Sequence, residues 1–313
     1  MTRRVLFQVL AAGSQEPPPI RVEVSLVNVP FSARDGRGQL VKTLSRDDIE
    51  ILEDGVPQTI SHFSTGAGSS LSLGLIADMS GSQREFQKDH RRDLKDFLKS
   101  VMQKQDKALL VCFAGSVKLV APLTASIDAI TESFRAFEKN EKGVVFPTIG
   151  PREIRAGASS VYDAIYNVSE EVMSRIDTGR RALIVFSDGE DTSSARNLMD
   201  AIEAAQRCGA TVFCLRYTEL RKNEWTARNK YGRSVMERIA RDTGGLDFDA
   251  GESDNLRDAY RQIADILRAS YDLGYTSSNK TSDSTFRKIQ IRAKRGDLTF
   301  RHKAGYYARV GPK

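Results

Sequence analysis

Two stretches of small polar and acidic residues each follow directly after an apolar run. The first contains Asp78, Ser80 and Ser82, at alternate positions after the apolar residues 71–77. The second contains Asp188, at the end of another apolar run. A run of this kind, bounded by Gly or Ser, predicts a buried strand that feeds a loop. Carboxylate and hydroxyl oxygens are the ligands that hard cations such as Mg²⁺ prefer, so both loops are candidate metal-binding segments.

The strands and helices around these loops determine whether the polar residues can lie close together. In an open α/β sheet, ligands bind at the carboxyl ends of the strands, where Asp78 and Asp188 are expected to lie. A third polar residue, Ser159, starts a helix-period pattern after a loop that contains Gly. The alternative for each segment is an ordinary Asp/Ser turn with a helix cap, which is common. The order of three such segments along one chain favours a common site.

Together the three segments resemble the von Willebrand factor A (VWA) domain of bacterial proteins and its metal-ion-dependent adhesion site (MIDAS). The pattern in that family is Asp-x-Ser-x-Ser, then a Thr ahead of a helix, then an Asp-Gly after a later strand. Here the first element is complete at residues 78–82 and the third at Asp188-Gly189. The second departs from the pattern, because Ser159 stands where Thr is expected and keeps only the hydroxyl. The resemblance covers residues 68–270.

The resemblance implies a site for Mg²⁺, or for Mn²⁺ or Ca²⁺, with an open position for an Asp or Glu of a protein partner. The side chains expected to hold the metal are Asp78, Ser80, Ser82, Ser159 and Asp188. Magnesium needs near-octahedral oxygen ligation and is usually held by one or two carboxylates with several waters. The nearby acids Glu190 and Asp191 are expected at the rim of the site, without direct contact to the metal.

Strands alternate with helices over residues 68–270, which predicts a doubly wound, mainly parallel, Rossmann-like sheet with helices on both faces. The flanking segments have β patterns, and each is too small to be stable alone. We therefore predict that residues 21–67 and 271–310 pair into one discontinuous, β-sandwich-like domain, with the VWA domain inserted between them. The Gly- and Ser-rich segment 64–70 is predicted to be a flexible linker, and residues 140–157 a long loop.

The C-terminal segment is strongly basic. Residues 271–313 contain ten Lys or Arg and three Asp, which accounts for the net charge of +6 of the whole chain. Apolar residues alternate with charged ones over 287–294, which predicts a half-buried strand with its charges on one solvated face. Binding to an anionic polymer is the alternative. Nucleic acid is disfavoured as a partner, because no aromatic platform is interleaved with the basic residues.

The 313 residues are 40% hydrophobic and 28% charged, as in an ordinary globular protein, and no run approaches the ~18 apolar residues of a membrane-spanning helix. Residues 1–20 form a signal-like or disordered N-terminus, so export to the periplasm or exterior and a cytoplasmic location both stay open. Three Cys give no disulfide framework, and three widely spaced His disfavour a His/Cys zinc site. Trp225, in a charged segment, is a contact residue or a packing residue.

The sequence favours a non-enzymatic, cation-dependent module for protein binding or adhesion. A metal-assisted hydrolase or phosphatase is an alternative, since a strand-end Asp with a cation also serves phosphoryl chemistry. However, residue 80 is Ser, so the chain has no Asp-x-Asp pair there, and no Gly-x-Ser-x-Gly elbow is present. A structural component of a cell-envelope assembly, with an incidental metal site, is the third interpretation.

Overall fold

The apolar run before Asp78 forms a strand, Leu71–Asp78, in which every residue is buried. The structure is a computed structural model, and it describes residues 26–66, 68–150, 159–176, 179–218, 225–250, 253–281 and 283–308. The predicted N-terminal segment 1–20 lies outside the described residues.

Strands alternate with helices over the central part of the chain, as the sequence patterns predict. The strands are β1 (Leu26–Asp35), β2 (Ile49–Glu53), β3 (Val56–Gln58), β4 (Ile60–Thr65), β5 (Leu71–Asp78), β6 (Lys107–Phe113), β7 (Val117–Thr124), β8 (Arg180–Ser187), β9 (Ala210–Arg216), β10 (Asp247–Asp249), β11 (Tyr271–Thr276), β12 (Phe286–Ala293), β13 (Leu298–His302) and β14 (Gly305–Tyr307). The helices are α1 (Gln87–Val101), α2 (Ile127–Glu138), α3 (Val161–Asn167), α4 (Leu198–Arg207), α5 (Ala227–Thr243) and α6 (Ser253–Ala269).

The central sheet has the strand order β10-β9-β8-β5-β6-β7. Its strands are parallel except β7, which is antiparallel to β6. The chain leaves β5 towards β6 and later returns to the other side of β5 with β8. The order therefore reverses between β5 and β8, and the crevice at such a switch point is where open α/β sheets bind ligands.

Helices cover both faces of the central sheet. On one face α1, α2 and α6 pack on the side chains of Leu71, Leu73 and Leu75. On the other face α3, α4 and α5 pack on Ile76 and Val185. Such two-sided burial explains why the central strands are continuous apolar runs. The predicted α/β fold class is confirmed: a mainly parallel central sheet lies between two layers of helices, and additional antiparallel sheets accompany it.

The additional strands form two antiparallel sheets, with the orders β13-β1-β11-β4 and β14-β12-β2-β3. They share an apolar core that includes Phe31, Ile51, Tyr271 and Ile289. Strand β1 pairs with β11 and β13, and β2 pairs with β12, so strands from the two ends of the chain join each other. The limits of the two domains, 21–67 plus 271–310 and 68–270, stay a prediction.

The segment predicted as a flexible linker is partly wrong. Ser64 and Thr65 belong to β4, and Gly66 is buried, with its N–H donating to the carbonyl of Ser270 at 2.8 Å. A Cβ atom at Gly66 would lie 2.1 Å from the guanidinium of Arg180. Here Gly is required by a close approach of the chain to another side chain, which the composition alone does not distinguish from flexibility.

One charged residue of β12 does not lie on the predicted solvated face. Arg287 is only 2% exposed, and its Nη1 lies 3.2 Å from Oε1 of Glu53, which is equally buried. Hydroxyls of Tyr275, Ser277 and Tyr306 also donate to Glu53, at 2.7, 2.5 and 2.9 Å. The partner of Arg287 is more than 230 residues away in sequence, so the alternation of β12 gives no sign of this ion pair.

A cap fixes the start of α5, and the long loop is described in part. Helix α5 begins after Thr226, which caps its first turn together with Asn229. The long loop is described only for its residues 140–150, which have no regular structure except a bridge at Thr148. Among the described helices, none combines the length and apolarity needed to cross a membrane.

Candidate metal centre

The first motif forms a tight loop at the carboxyl end of β5. The backbone N–H of Ser80 donates to Oδ1 of Asp78 at 2.9 Å. The hydroxyl oxygens of Ser80 and Ser82 lie 3.2 Å apart. Asp78 and Ser80 are buried, whereas Ser82 is partly accessible. The structure therefore brings the three oxygen-bearing side chains of the motif together on one loop.

Asp188 lies on the neighbouring loop, directly after β8. Ala77 and Phe186 are paired in the parallel register of β5 and β8, so the two acids follow adjacent strand ends. The side-chain amide of Gln83 donates to Oδ2 of Asp188 at 3.0 Å and connects the two loops. The hydroxyl of Ser187 donates to Oδ2 of Asp78 at 2.5 Å and makes a second connection.

Ser159 is hydrogen-bonded to the loop that follows Asp188. Its N–H donates to Oγ1 of Thr192 at 2.9 Å, and its carbonyl accepts the N–H groups of Thr192 and Ser193 at 3.0 Å each. The Ser159 hydroxyl is buried and has no hydrogen-bond partner among the described residues. A buried hydroxyl without a partner is costly and needs an explanation, such as a bound ion or water.

Burial and charge act together on Asp78. Removal from water, and secondly the negative charge of Asp188, raise the pKa of Asp78 to about 7, although the hydrogen bonds from Ser187 and Ser80 oppose this. Within the described part of the chain, no Lys, Arg or His forms an ion pair with either acid. Two acids close together in a buried site without a positive side chain favour a bound cation.

The donor set fits a hard divalent cation. Two carboxylates balance a charge of +2, and the seryl hydroxyls supply neutral oxygen ligands. The described residues contain no group of three or more His, Cys, Asp or Glu that could hold a metal. A metal at this position would therefore depend on hydroxyls and water as well as carboxylates, which is the donor set that the motif predicts.

Sequence reasoning missed two residues that connect the acids. Gln83 is buried and also donates to the carbonyl of Tyr217 at 3.1 Å. It follows the motif by one position, where a polar residue at a helix start is normally solvated. Ser187 was assigned only to the end of β8, and its hydroxyl also accepts the N–H of Gly189 at 3.1 Å. Their position immediately beside the two acids was the only available signal.

The two acids after Asp188 have supporting contacts. Asp191 accepts the N–H of Tyr162 and of Ser194, both at 3.1 Å, so it holds the start of α3 against this loop. Glu190 is buried, donates its N–H to Oδ1 of Asp188 at 2.9 Å, and forms an ion pair with Arg228. Both acids therefore have partners within the protein, and their place at the rim of a metal site stays a prediction.

His90 is a packing residue on α1. Its ring is fully buried and meets the ring of Tyr217 edge-on, with the centroids 4.4 Å apart. Burial lowers the pKa of His90 to about 4, so the imidazole is neutral at physiological pH. It therefore supplies no positive charge to Asp78 or Asp188.

The turn after Asp188 also touches α5. Gly189 has a φ of +80°, and a Cβ atom at Gly232 would lie 2.3 Å from the carbonyl oxygen of Asp188. A Cβ atom at Gly189 would lie 2.4 Å from the carbonyl oxygen of Gly232. Glycine at both positions permits the backbones to approach closely, which places the start of α5 beside the candidate site.

The raised pKa of Asp78 predicts the pH dependence of the cation-free protein. The folded state keeps a proton on Asp78 up to pH of about 7, whereas the unfolded chain releases it near the ordinary value of 3.8. Below that ordinary value both states carry the proton, and the folded state has its full stability. As the pH rises to about 7, the unfolded chain has already released the proton that the folded state still holds, and this part of the stability is lost. We expect the free energy of unfolding to fall by about 2–4 kcal/mol over this interval.

Urea unfolding in chelator at several pH values measures this loss. Other buried acids add their own pH dependence, so the informative quantity is the difference between the wild-type protein and Asp78→Asn. The difference should change with pH between about 4 and 7. Parallel stability curves for the two proteins would contradict the assignment.

No family model matches the chain, and no curated protein matches it. Some solved structures, by contrast, do match the chain. The conserved hypothetical protein BatB from Bacteroides thetaiotaomicron is 16% identical, over 63% of this chain and 99% of that chain, with a TM-score of 0.46. A von Willebrand factor type A protein from Catenulispora acidiphila is 12% identical, over 85% and 74% of the two chains, with a TM-score of 0.47.

A further match is proximal thread matrix protein 1 from the mussel byssus, in a structure with a zinc-occupied MIDAS motif. It is 14% identical, over 68% of this chain and 49% of that chain, with a TM-score of 0.45. Identities and TM-scores of this size do not assign the present chain to a family, a metal or a function. The chemistry of the site therefore depends on the side chains of this chain.

Proposed function

We propose that the chain is a non-enzymatic module that binds a protein partner through a divalent cation. The cation would be held by Asp78, Ser80, Ser82, Ser159 and Asp188. The observation that carries the proposal is the pair of buried acids, Asp78 and Asp188, with which no Lys, Arg or His of the described residues forms an ion pair. The buried hydroxyl of Ser159, which has no hydrogen-bond partner in the described part of the chain, supports it independently.

The proposed ligands would contribute to cation binding in two ways, by charge balance and by neutral coordination. Asp78 and Asp188 would balance the charge of Mg²⁺, Mn²⁺ or Ca²⁺, and the three seryl hydroxyls would be neutral donors. Such a bound cation supplies an open coordination position for a carboxylate oxygen. Because the site adds only two negative charges, an Asp or Glu of a protein partner is the favoured ligand at that position.

The contacts of Asp78 favour binding over catalysis. One carboxylate oxygen accepts the N–H of Ser80, and the other accepts the hydroxyl of Ser187. A nucleophilic Asp needs a carboxylate oxygen directed at the substrate, whereas both oxygens of Asp78 accept hydrogen bonds from the protein. We therefore propose no enzymatic activity. We also propose export, on the basis of the signal-like N-terminus, with the partner outside the cytoplasm.

Short peptides test the proposed binding mode. Chelator-treated protein with saturating Mg²⁺ is titrated with a peptide that contains one Asp and with a matched peptide that contains Asn instead. NMR chemical shifts detect weak binding. We expect binding of the Asp peptide alone, its loss in EDTA, and its loss in Ser80→Ala.

Ser100→Ala is a matched control, because among the described residues the Ser100 hydroxyl bonds only to a carbonyl of its own helix, α1. This variant should bind the Asp peptide like the wild-type protein. Binding that persists in EDTA, or equal binding of the Asn peptide, would contradict the proposal.

A further inference from the structure

We infer that the partner segment carries a second acidic side chain and an apolar side chain beside the acid that reaches the metal. The start of α5 would recognise both. The relevant surface, called the α5 rim, consists of Trp225, Arg228, Lys230, Tyr231 and Arg233. This inference extends the proposed function and depends on it.

The α5 rim adjoins the candidate metal centre. Gly232 lies against the carbonyl of Asp188, at a distance that leaves no room for a Cβ atom. Tyr231 and Arg233 are its neighbours in sequence, one on each side. Arg228, one turn earlier, pairs with Glu190, the second residue after Asp188. A ligand at the metal therefore also meets this surface.

Two aromatic side chains of the rim are exposed. Tyr231 is 56% exposed, although its hydroxyl lies 3.5 Å from that of Tyr162 at the start of α3. Trp225 is 37% exposed, and the guanidinium carbons of Arg216 and Arg233 each lie 5.9 Å from its ring centroid. Trp, Tyr and Arg are the residue types that dominate binding energy at protein interfaces.

The rim also presents three exposed positive side chains. Arg228, Lys230 and Arg233 are all exposed within six residues. Arg228 pairs with the buried Glu190, and Arg233 lies 2.7 Å from Glu237. In the described ranges Lys230 forms no ion pair. Because the metal already selects a carboxylate, a positive surface next to it complements a partner segment with more than one acid.

The chemistry of the rim specifies one kind of occupant. A first acid of the partner would reach the metal, and a second would pair with Lys230. An apolar side chain of the same segment would pack on Tyr231. An acidic protein segment with an apolar residue between two acids meets all three requirements, whereas a uniform polyanion uses only the positive charges.

Two labelled peptides test the inference on the full chain with saturating Mg²⁺. One contains Gly-Asp-Leu-Glu-Gly, and the other contains Gly-Asp-Gly-Gln-Gly, which keeps only the acid for the metal. We expect the first to bind about tenfold more tightly, measured by fluorescence anisotropy. Lys230→Glu should remove most of this advantage, and Tyr231→Ala should remove part of it. Neither variant should change the calorimetric titration with Mg²⁺.

Arg241→Glu is the matched control. It reverses a charge on the same stripe of α5, about 16 Å further along the helix axis. Arg241 is exposed, so the fold should tolerate the change, and the preference for the first peptide should stay as in the wild-type protein. Added salt should reduce the advantage of the first peptide, because exposed charges are screened.

The outcomes separate the inference from the proposed function. Metal-dependent binding of both peptides with equal affinity would overturn the inference and leave the proposed function intact. Saturable Mg²⁺ binding without binding of either peptide would overturn both. A single-stranded oligonucleotide that binds as tightly as the first peptide, and loses binding in Lys230→Glu, would identify a general polyanion surface and overturn the inference.

Discussion

Asp78→Asn is expected to abolish divalent cation binding while the cation-free protein stays folded. The amide oxygen can still accept the N–H of Ser80, so the loop should keep its shape. The substitution removes one of the two negative charges that would balance the cation. Substitution of a residue that only orients a metal ligand commonly lowers metal affinity by about 10–100-fold. Loss of a charged ligand itself should therefore lower the affinity for the cation by more than about 100-fold.

Calorimetric titration of chelator-treated proteins with Mg²⁺ measures this loss. Asp47→Asn is a matched control, since it makes the same change at an exposed position remote in sequence from the site. It should bind Mg²⁺ like the wild-type protein. In chelator near neutral pH, Asp78→Asn should be at least as stable as the wild-type protein, because it no longer buries two neighbouring acids. Undiminished Mg²⁺ affinity would contradict the assignment of Asp78.

Glu53→Gln is expected to cause the largest loss of stability, about 3–5 kcal/mol. The change leaves the guanidinium of Arg287 buried without an anion. Burial alone would raise the pKa of Glu53, but hydrogen bonds, first from Ser277 and then from Tyr275 and Tyr306, lower it, so the carboxylate is ionised. The pair connects β2 with β12, and therefore the N-terminal and C-terminal strands.

Urea unfolding at pH 7 measures this loss, with Glu50→Gln as the control. Glu50 is on the same strand but is not buried, and the residue opposite is Arg292. Loss of a surface pair costs no more than about 1 kcal/mol. The double variant Glu53→Gln/Arg287→Gln should be more stable than the sum of the single losses predicts. Equal losses for Glu53→Gln and Glu50→Gln would show that the buried pair contributes nothing.

The fold was predictable wherever the signal is local or strictly periodic. The apolar runs that end at Asp78 and Asp188 predicted the two strands, β5 and β8, whose ends carry the candidate site. The β patterns at both ends of the chain predicted paired strands, because neither segment could be stable alone.

The remaining features depend on contacts between distant residues. Gln83 connects to Asp188 only because β5 and β8 are neighbours in the sheet. Arg287 is buried because Glu53 is opposite, and a regular alternation of residues cannot show this. The α5 rim was visible only as a charged segment around Trp225. Its position beside the site depends on the contact of Gly232 with Asp188.

The central claim is that this chain binds a divalent cation and, through it, an acid of a partner. The most direct test is calorimetric titration of the chelator-treated full chain with Mg²⁺, Mn²⁺ and Ca²⁺, alone and with the Asp-containing peptide in excess. We predict one saturable site that is lost in Asp78→Asn and strengthened by the peptide. Absence of saturable binding for all three cations, even with the peptide present, would contradict the claim.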